Sequence, residues 1–397
     1  MEPVLRHPET DAEVTRCGEL LVRSFGFPRE DFERFNSELD RDRALAVFVG
    51  DEVAAFSRIR PFGQFWGGRR VPMGGHSPVG AAPEFRGRGF GSMVTAGHFA
   101  DLRERGEVIA GLFPATTALY RGTGFGLAGT WVSHKVPARS LQTLRPPAGV
   151  TVRRGSIDDA PAVKEAYRRD APRHPGHLDR PDVWWDTRLL RDLDKDLYLY
   201  VVDADSGPGE LAGYVLYKQT PRHDWGYRIS VVDMVAPDVD VAIVLWRLIG
   251  SSSTMTDDVH LVGSSEDALL LLLPEQDLSP LGGLRFMVRL VDMPGAFAAR
   301  GYVPGVRAVA EFEVEDRHCP WNTGKWRLVV DDGAGRLEPG GSGAIRVSPP
   351  GLATLFSGYA SAWTLAATGQ LPGAAERDLA DLAAAFASPT PWMPEIF

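Results

Sequence analysis

Val79-Gly-Ala-Ala-Pro-Glu-Phe-Arg-Gly-Arg-Gly-Phe-Gly91 is the stretch on which the reading of this chain turns. Pro78 to Ala82 has the composition of a short buried strand, and Pro83 ends it. Arg86-Gly-Arg-Gly-Phe-Gly91 then turns, and an amphipathic helix follows. The first N–H groups of a helix lack intrahelical partners, and the dipole favours negative charge beside them. A glycine-rich loop opening a helix is therefore an anion site. Gly87, Gly89 and Gly91 let the backbone approach a ligand, while Arg86 and Arg88 offer charge-assisted bonds to phosphate. No Gly-Lys-Ser/Thr follows, which excludes a P-loop, and the glycines run G-x-G-x-G rather than the dinucleotide fingerprint G-x-G-x-x-G.

Working outward, Asp11 to Phe25 has helical spacing. Ala44–Val49 and Val53–Ile59 read as a hairpin around Gly50-Asp51, and Phe62 to Arg69 as a glycine- and aromatic-rich loop. Val71 to Ala82 leads into the central strand. The helix after the loop is expected from Phe90 to Arg105, with Met93, Ala96, Phe99 and Ala100 as its apolar stripe. Val108 to Phe113 is the next buried strand, a short helix ends near Gly122, and Gly129 to Val136 is a last strand. The pattern Arg86-x-x-Gly89-x-Gly91 after a strand ending in Ala-Pro resembles the pyrophosphate loop of the GNAT acyl-CoA N-acyltransferases. The order of elements around it is that of a GNAT fold.

Leu141 to Pro147 reads as a linker, and beyond it the order of elements repeats. Strands are expected at Leu197–Val202, Leu211–Lys218 and Tyr227–Val235, with a helix over Val241–Leu248. Where the first copy has arginines and glycines, this one has Asp238-Val-Asp240, two carboxylates that repel a pyrophosphate. It is read as a degenerate copy that does not bind CoA. A third unit begins near Phe286, with strands over Phe286–Val291, Ala308–Val314 and Lys325–Val330 and a last helix over Asp378–Phe386. The tail, Pro389-Thr-Pro-Trp-Met-Pro-Glu-Ile-Phe397, carries three prolines and large apolar groups instead of a flexible polar run. Such a tail suits docking in one place.

Composition bounds the rest. The chain has 397 residues, 44% apolar and 24% charged, ordinary for a globular protein of two or three domains. A net charge of −9 argues against nucleic acid as a general partner and favours cationic substrates. Two cysteines, Cys17 and Cys319, are too few for a disulfide framework or a thiolate metal site. No metal is expected. The apolar run Ala268–Leu273 is too short for a bilayer and Met1-Glu-Pro opens no signal peptide, so the expected place is the cytoplasm.

Two acyltransferase-like units followed by a smaller α+β unit resemble the Eis family of aminoglycoside N-acetyltransferases. The resemblance covers the whole chain and is strongest at Val79–Gly91, at Leu119-Tyr-Arg-Gly-Thr-Gly-Phe-Gly126 and at Phe397. It implies a mixed α/β (α+β) chain of tandem GNAT folds and a sterol-carrier-protein-like domain: a catalytic domain over 1–140, a degenerate GNAT-like domain over 148–283, and a third over 284–397 whose C-terminus reaches the active site. It implies acetyl-CoA as co-substrate, a cationic small-molecule amine as partner, no membrane partner, and a homo-hexamer. It maps the catalytic tyrosine to Tyr120 and the terminal carboxylate of the active site to Phe397. Cofactor contacts map to Val79, Ala81, Arg86, Gly87, Arg88, Gly89 and Gly91. The family's pocket aspartate falls near Gly26, between Phe25 and Phe27, where Glu30, Asp31 and Glu33 are the nearby acids. Phe25, Phe27, Asp31 and Glu395 are the expected substrate contacts.

Acetyl transfer needs a neutral amine, a polarised thioester carbonyl and a proton for the leaving thiolate. A phenol with reference pKa ~10 is protonated at neutral pH, so Tyr120 suits the acid. A terminal carboxylate, reference pKa about 3.5, is charged and suits both attraction of an ammonium and acceptance of its proton. His76, just before the central strand, is the rival base. Two other readings stand beside this one: a protein lysine acetyltransferase, and a lipid or small-ligand carrier with an inert acyltransferase unit.

Overall fold

The computed structural model describes residues 2–26, 39–204, 209–223 and 225–397. The chain is mixed α/β. It begins with β1 (Val4–Arg6), α1 (Asp11–Phe25), β2 (Ala44–Val49), β3 (Glu52–Trp66) and β4 (Arg69–Ala81). Then follow α2 (Phe90–Gly97), α3 (Phe99–Glu104), β5 (Ile109–Leu112), α4 (Thr117–Gly122) and β6 (Gly126–Pro137). The middle stretch holds β7 (Val152–Arg154), α5 (Ala160–Asp170), β8 (Leu197–Asp203), β9 (Leu211–Pro221), β10 (Tyr227–Val235), α6 (Val239–Gly250), β11 (Asp258–Gly263) and β12 (Ser279–Leu290). The last part has α7 (Met293–Ala299), a small sheet of β13 (Arg307–Val314), β14 (Gly324–Asp331), β15 (Ala334–Pro339) and β16 (Ile345–Arg346), then α8 (Pro349–Ser357) and α9 (Glu376–Ala385).

The contacts group the chain into two compact units, one of Met1–Ala128, Phe286–Ser388 and Phe397, the other of Gly129–Arg285 and Pro389–Ile396. In the first, the sheet runs β1, β2, β3, β4, β5 and then the Phe286–Leu290 end of β12. β4 and β5 pair in parallel there, Met73 opposite Ile109, Gly74 opposite Ala110 and Gly75 opposite Gly111. α1 starts on Thr10, whose hydroxyl accepts the Glu13 N–H, while Glu13 accepts from the Thr10 N–H. It ends on Gly26 in the left-handed conformation. In the second unit the order is β12, β6, β11, β10, β9, β8 and β7, with a core from Val136, Val215, Ile229, Leu245, Val259 and their neighbours.

Three features differ from the sequence reading. Residues 62–66 and 69 are strand around a two-residue turn, not a loop. β3 and β4 are a long hairpin closed by Gly67-Gly68, both at positive φ, with Trp66 opposite Arg69. A glycine pair between two apolar runs is the signature of such a turn. The helix after the loop is interrupted at His98, beside Gly97, where a Cβ would lie 2.6 Å from Leu5. The break shifts the helical phase, so Phe90, Val94, Phe99 and Leu102 are buried while Met93 and Ala100 face out. Finally, two strands are exchanged. Phe286–Leu290, expected to open the third unit, pairs with β5 in the first unit, Met287 opposite Leu112. β6, expected to close the first copy, pairs with β11 in the second, Val136 opposite Val259. Phe286, Met287 and Val288 are wholly buried.

The interior of the last part of the chain is packed with side chains. Phe297, Phe312, Phe356 and Phe386 meet there, and the buried Arg300 lies 4.7–5.0 Å from the rings of Tyr302, Phe386 and Phe356. Burial pulls the Arg300 guanidinium down to about 10. No described helix is long and apolar enough to cross a membrane.

Candidate active site

The site is built on β4. Its pairing with β3 slips between Ser57 opposite Val79 and Ile59 opposite His76, so Ser77 and Pro78 together face Arg58. Such a bulge re-aims a strand. The Arg58 guanidinium donates to the Ser77 carbonyl at 2.9 Å and holds it. Pairing of β4 with β5 ends at Gly75 and Gly111, while β4 continues six residues further, to Ala81. Beyond Gly75 the two parallel strands part, and Val79 and Ala81 lie on the free stretch.

Past that stretch, Pro83–Phe85 forms a single 3-10 turn and the chain enters α2 at Gly89. Gly87 and Gly89 have φ of 78° and 80°, a conformation costly to residues with a Cβ. A Cβ built on either meets nothing within 4 Å, so these glycines are there for the backbone shape and face open space. Gly89 gives α2 no side-chain cap, which leaves the first N–H groups of the helix available. Arg86 and Arg88 are exposed beside them, Arg88 lying 5.4 Å from the Phe85 ring. The counterpart in the second unit is chemically filled. Asp238 caps α6, its carboxylate accepting the Val241 N–H at 2.9 Å, where the first unit has open donors.

Tyr120 lies on α4, 5% exposed, in a cluster with Leu112, Phe125 and Met287 against which Val79 packs. Residues from both sides of the parted strands thus join it. Its carbonyl accepts from the N–H groups of Thr123 (3.1 Å) and Phe125 (2.9 Å), which anchors the turn. The hydroxyl has no hydrogen-bond partner among the described residues, and burial pushes its pKa up to about 12. It stays protonated through the whole neutral range.

Phe397 is in the same unit. Its ring is 5.1 Å from Phe62 and 6.3 Å from Phe113, the residue that follows β5. A Cβ on Gly75 would lie 2.8 Å from the Phe397 ring and 2.9 Å from Phe62. The bare backbone at the last paired residue of β4 makes the space for both rings. Phe25 closes α1, with its ring 3.5 Å from where a Cβ on Gly80 would stand. Phe27 and Asp31, with Glu30 and Glu33, lie outside the described residues.

Two expected residues are otherwise engaged. His76 is 3% exposed, edge-on to the rings of His98, Phe99 and Phe125, and neither ring nitrogen has a hydrogen-bond partner. Burial pushes its pKa well below the usual imidazole value. It is a core residue rather than a group open to substrate. Glu395, expected to contact substrate, is 6% exposed in the second unit and bonded to Arg180, so it is better read as an anchor. Gly75, Phe62 and Phe113 escaped the sequence reading. For Gly75 the sign was there, since adjacent glycines inside a strand mark close approach of another group. For the two phenylalanines no local signal existed.

Parallel strands that part around a bulge, a glycine-rich anion loop opening a helix and a tyrosine beside the gap define the fold of the GNAT acyltransferases. Comparison with known proteins agrees. An acetyltransferase (GNAT) domain family matches residues 7–128, a second one 176–290, and the sterol carrier protein domain family 293–394. An uncharacterized N-acetyltransferase of Streptomyces coelicolor is 30% identical over 427 residues, covering 100% of both chains. N-acetyltransferase Eis of Mycobacterium tuberculosis is 28% identical over 354 residues, 81% of this chain and 79% of that one. Among solved structures, a GCN5-related N-acetyltransferase from Anabaena variabilis superposes with a TM-score of 0.92 at 31% identity, covering 100% of both chains. The chain belongs to the Eis-like GNAT N-acetyltransferases, enzymes that take the acetyl group from acetyl-CoA.

Proposed function

We propose that this enzyme acetylates amines of cationic small molecules such as aminoglycosides, with Tyr120 as general acid and the carboxylate of Phe397 as general base. The observation that carries the reading is the contact of Phe397 with Gly75, at the place where β4 and β5 part.

Acetyl-CoA supplies an activated thioester. In this reading Arg86, Gly87, Arg88, Gly89 and Gly91 receive its pyrophosphate, through the open N–H groups of α2 and two guanidinium groups. A main-chain N–H on the Val79–Ala81 stretch polarises the thioester carbonyl. The Phe397 carboxylate attracts the ammonium form of the substrate and, directly or through a water, takes its proton; the neutral amine so formed attacks the thioester carbonyl, and its second proton passes to solvent as the tetrahedral intermediate collapses. Tyr120, neutral and raised by burial, gives its proton to the departing sulfur. Phe25 borders the amine side.

A thiol-release assay with acetyl-CoA against aminoglycosides, polyamines and lysine peptides tests the substrate class. Turnover is expected with the first two. Preference for lysine peptides by kcat/KM overturns the small-molecule reading.

A further inference from the structure

α4, which carries Tyr120, is short for a helix that must hold a side chain in place. It has six residues, and Thr116 gives it no side-chain cap. A helix of that length is unstable alone in water, so what packs on its ends decides where it lies. The carbonyls of its last turn lack intrahelical partners. One of them, the Gly122 carbonyl, accepts from Nη2 of Arg317 at 2.9 Å. The Nε–H of Arg317 donates to the His318 ring at 3.0 Å, and His318 hydrogen-bonds the same carbonyl. A cation at that end also meets the negative pole of the helix.

The loop that brings Arg317 there is wound on Asp316. One oxygen of its carboxylate accepts from the N–H groups of His318 at 3.2 Å and Cys319 at 3.0 Å, and the Asp316 N–H donates to the Thr323 hydroxyl at 2.9 Å. The other oxygen accepts from Arg289. Arg289 and Asp316 are 1% and 3% exposed. The Arg289 guanidinium lies under the turn that follows α4, since a Cβ on Gly124 would stand 2.7 Å from it. Cys319, at the end of the loop, belongs to the same buried cluster as Tyr120, Phe125 and Met287. The turn is thus held at its carbonyl by Arg317 and from below by Arg289. It supplies the N–H groups of Thr123 and Phe125 that bond the Tyr120 carbonyl. All of these residues lie in the first unit.

We propose that Arg317, braced by the Arg289–Asp316 pair, is a positioning residue for acetyl transfer: the sterol-carrier-like part of the chain grips the C-terminal end of α4 and so sets where the Tyr120 hydroxyl stands. The proposal rests on the reading of Tyr120 as acid. Proton transfer to the departing sulfur needs the hydroxyl within hydrogen-bond reach of it. Misplacement by about 1 Å costs up to ~10²-fold in rate, so loosening the end of α4 acts on kcat.

The experiment uses the full chain with Arg317→Ala and Arg317→Lys, and with Arg317→Ala combined with Tyr120→Phe. Arg317 is exposed, so these variants are expected to fold. Lys keeps a cationic donor for the Gly122 carbonyl. The first readout is hydrogen exchange by mass spectrometry in peptides spanning Thr117–Gly126, which needs no substrate. Exchange at the Thr123 and Phe125 amides is expected to be roughly tenfold faster in Arg317→Ala and near wild type in Arg317→Lys. The second is kinetics with the best amine of the panel. In Arg317→Ala kcat falls roughly tenfold with the KM values for acetyl-CoA and amine unchanged, and Arg317→Lys recovers most of it. In the Tyr120→Phe background the same change costs nothing further, because the hydroxyl it positions is gone. Wild-type exchange or wild-type kcat in Arg317→Ala overturns the proposal. So does a full additional loss in the Tyr120→Phe background, and so does a rise of either KM at unchanged kcat, which would make Arg317 a substrate contact. Tyr120→Phe by itself separates the two readings. If it keeps wild-type turnover, the acid assignment fails and the positioning role with it; if it falls by ~10²-fold and Arg317→Ala does not fall, the acid stands and the positioning role is lost. Should Arg317→Ala not fold, Arg317→Met, which keeps the apolar stem, is expected to show the same direction, and wild-type values there overturn the proposal.

Discussion

Single residues decide how much of this site is chemistry and how much is packing. Tyr120 is buried among apolar groups, yet its ring alone would serve that packing. Tyr120→Phe is expected to lower kcat by ~10²-fold while leaving stability and the KM for acetyl-CoA close to wild type. Near-normal turnover in steady-state assays would return Tyr120 to the core. Gly75 is the opposite case, where the absence of a side chain matters. Gly75→Ala forces Phe62 and Phe397 apart and is expected to cost about 1–3 kcal/mol of stability, with a fall in kcat, in denaturant melts and kinetics. Glu13 carries a pH signature. Its hydrogen bonds to Arg6, and then to the N–H groups of Glu9 and Thr10, hold its carboxyl down at about 2. The folded value lies below the unfolded one near 4.5, so its contribution is complete above about pH 4.5 and is lost as pH falls toward 2. Glu13→Gln is therefore expected to destabilise by about 1 kcal/mol at pH 7, and melts repeated at falling pH should show the gap closing.

Elements carry the difference between the two acyltransferase copies. α2 opens on a glycine with bare donors, and α6 opens on an aspartate whose carboxylate already accepts the Val241 N–H. Gly89→Glu places a side chain at φ 80° and a negative charge where the anion belongs, so acetyl-CoA affinity by calorimetry is expected to vanish while the fold persists. Asp238→Ala is expected to cost about 1 kcal/mol of stability as a lost N-cap and to leave that affinity alone. Unchanged CoA binding in Gly89→Glu would remove the loop from the site.

At the scale of the whole molecule, the proposed function gives the Phe397 carboxylate a part in the chemistry. One glycine added after Phe397 moves the terminal charge by roughly 3.5 Å. Activity is expected to collapse, while CoA binding and the melting temperature stay as they were. Removal of Phe397 should act alike, and a tag at the N-terminus should be harmless. Full kcat/KM in the extended chain would leave the tail a structural strap.

What the sequence determined by itself was local. The loop from Arg86 to Gly91, the acid at Asp238 and the stiffness of the tail all depend on residues a few positions apart, and the physics of turns, caps and dipoles acts over that range. The cap at Thr10 and the glycine pair at 67–68 belong to the same local class, though the sequence reading named neither and took 62–69 as a loop. Partners far apart in the chain were decided only by the tertiary structure. Phe286–Leu290 and Gly126–Pro137 are both apolar strands of similar character, and no local preference says which sheet takes which. Glu395 reads as a substrate contact until Arg180, 215 residues away, is seen to hold it. Phe397 meets Gly75, Phe62 and Phe113 because three separate parts of the chain leave room for one ring, and that room exists only once the sheet has closed.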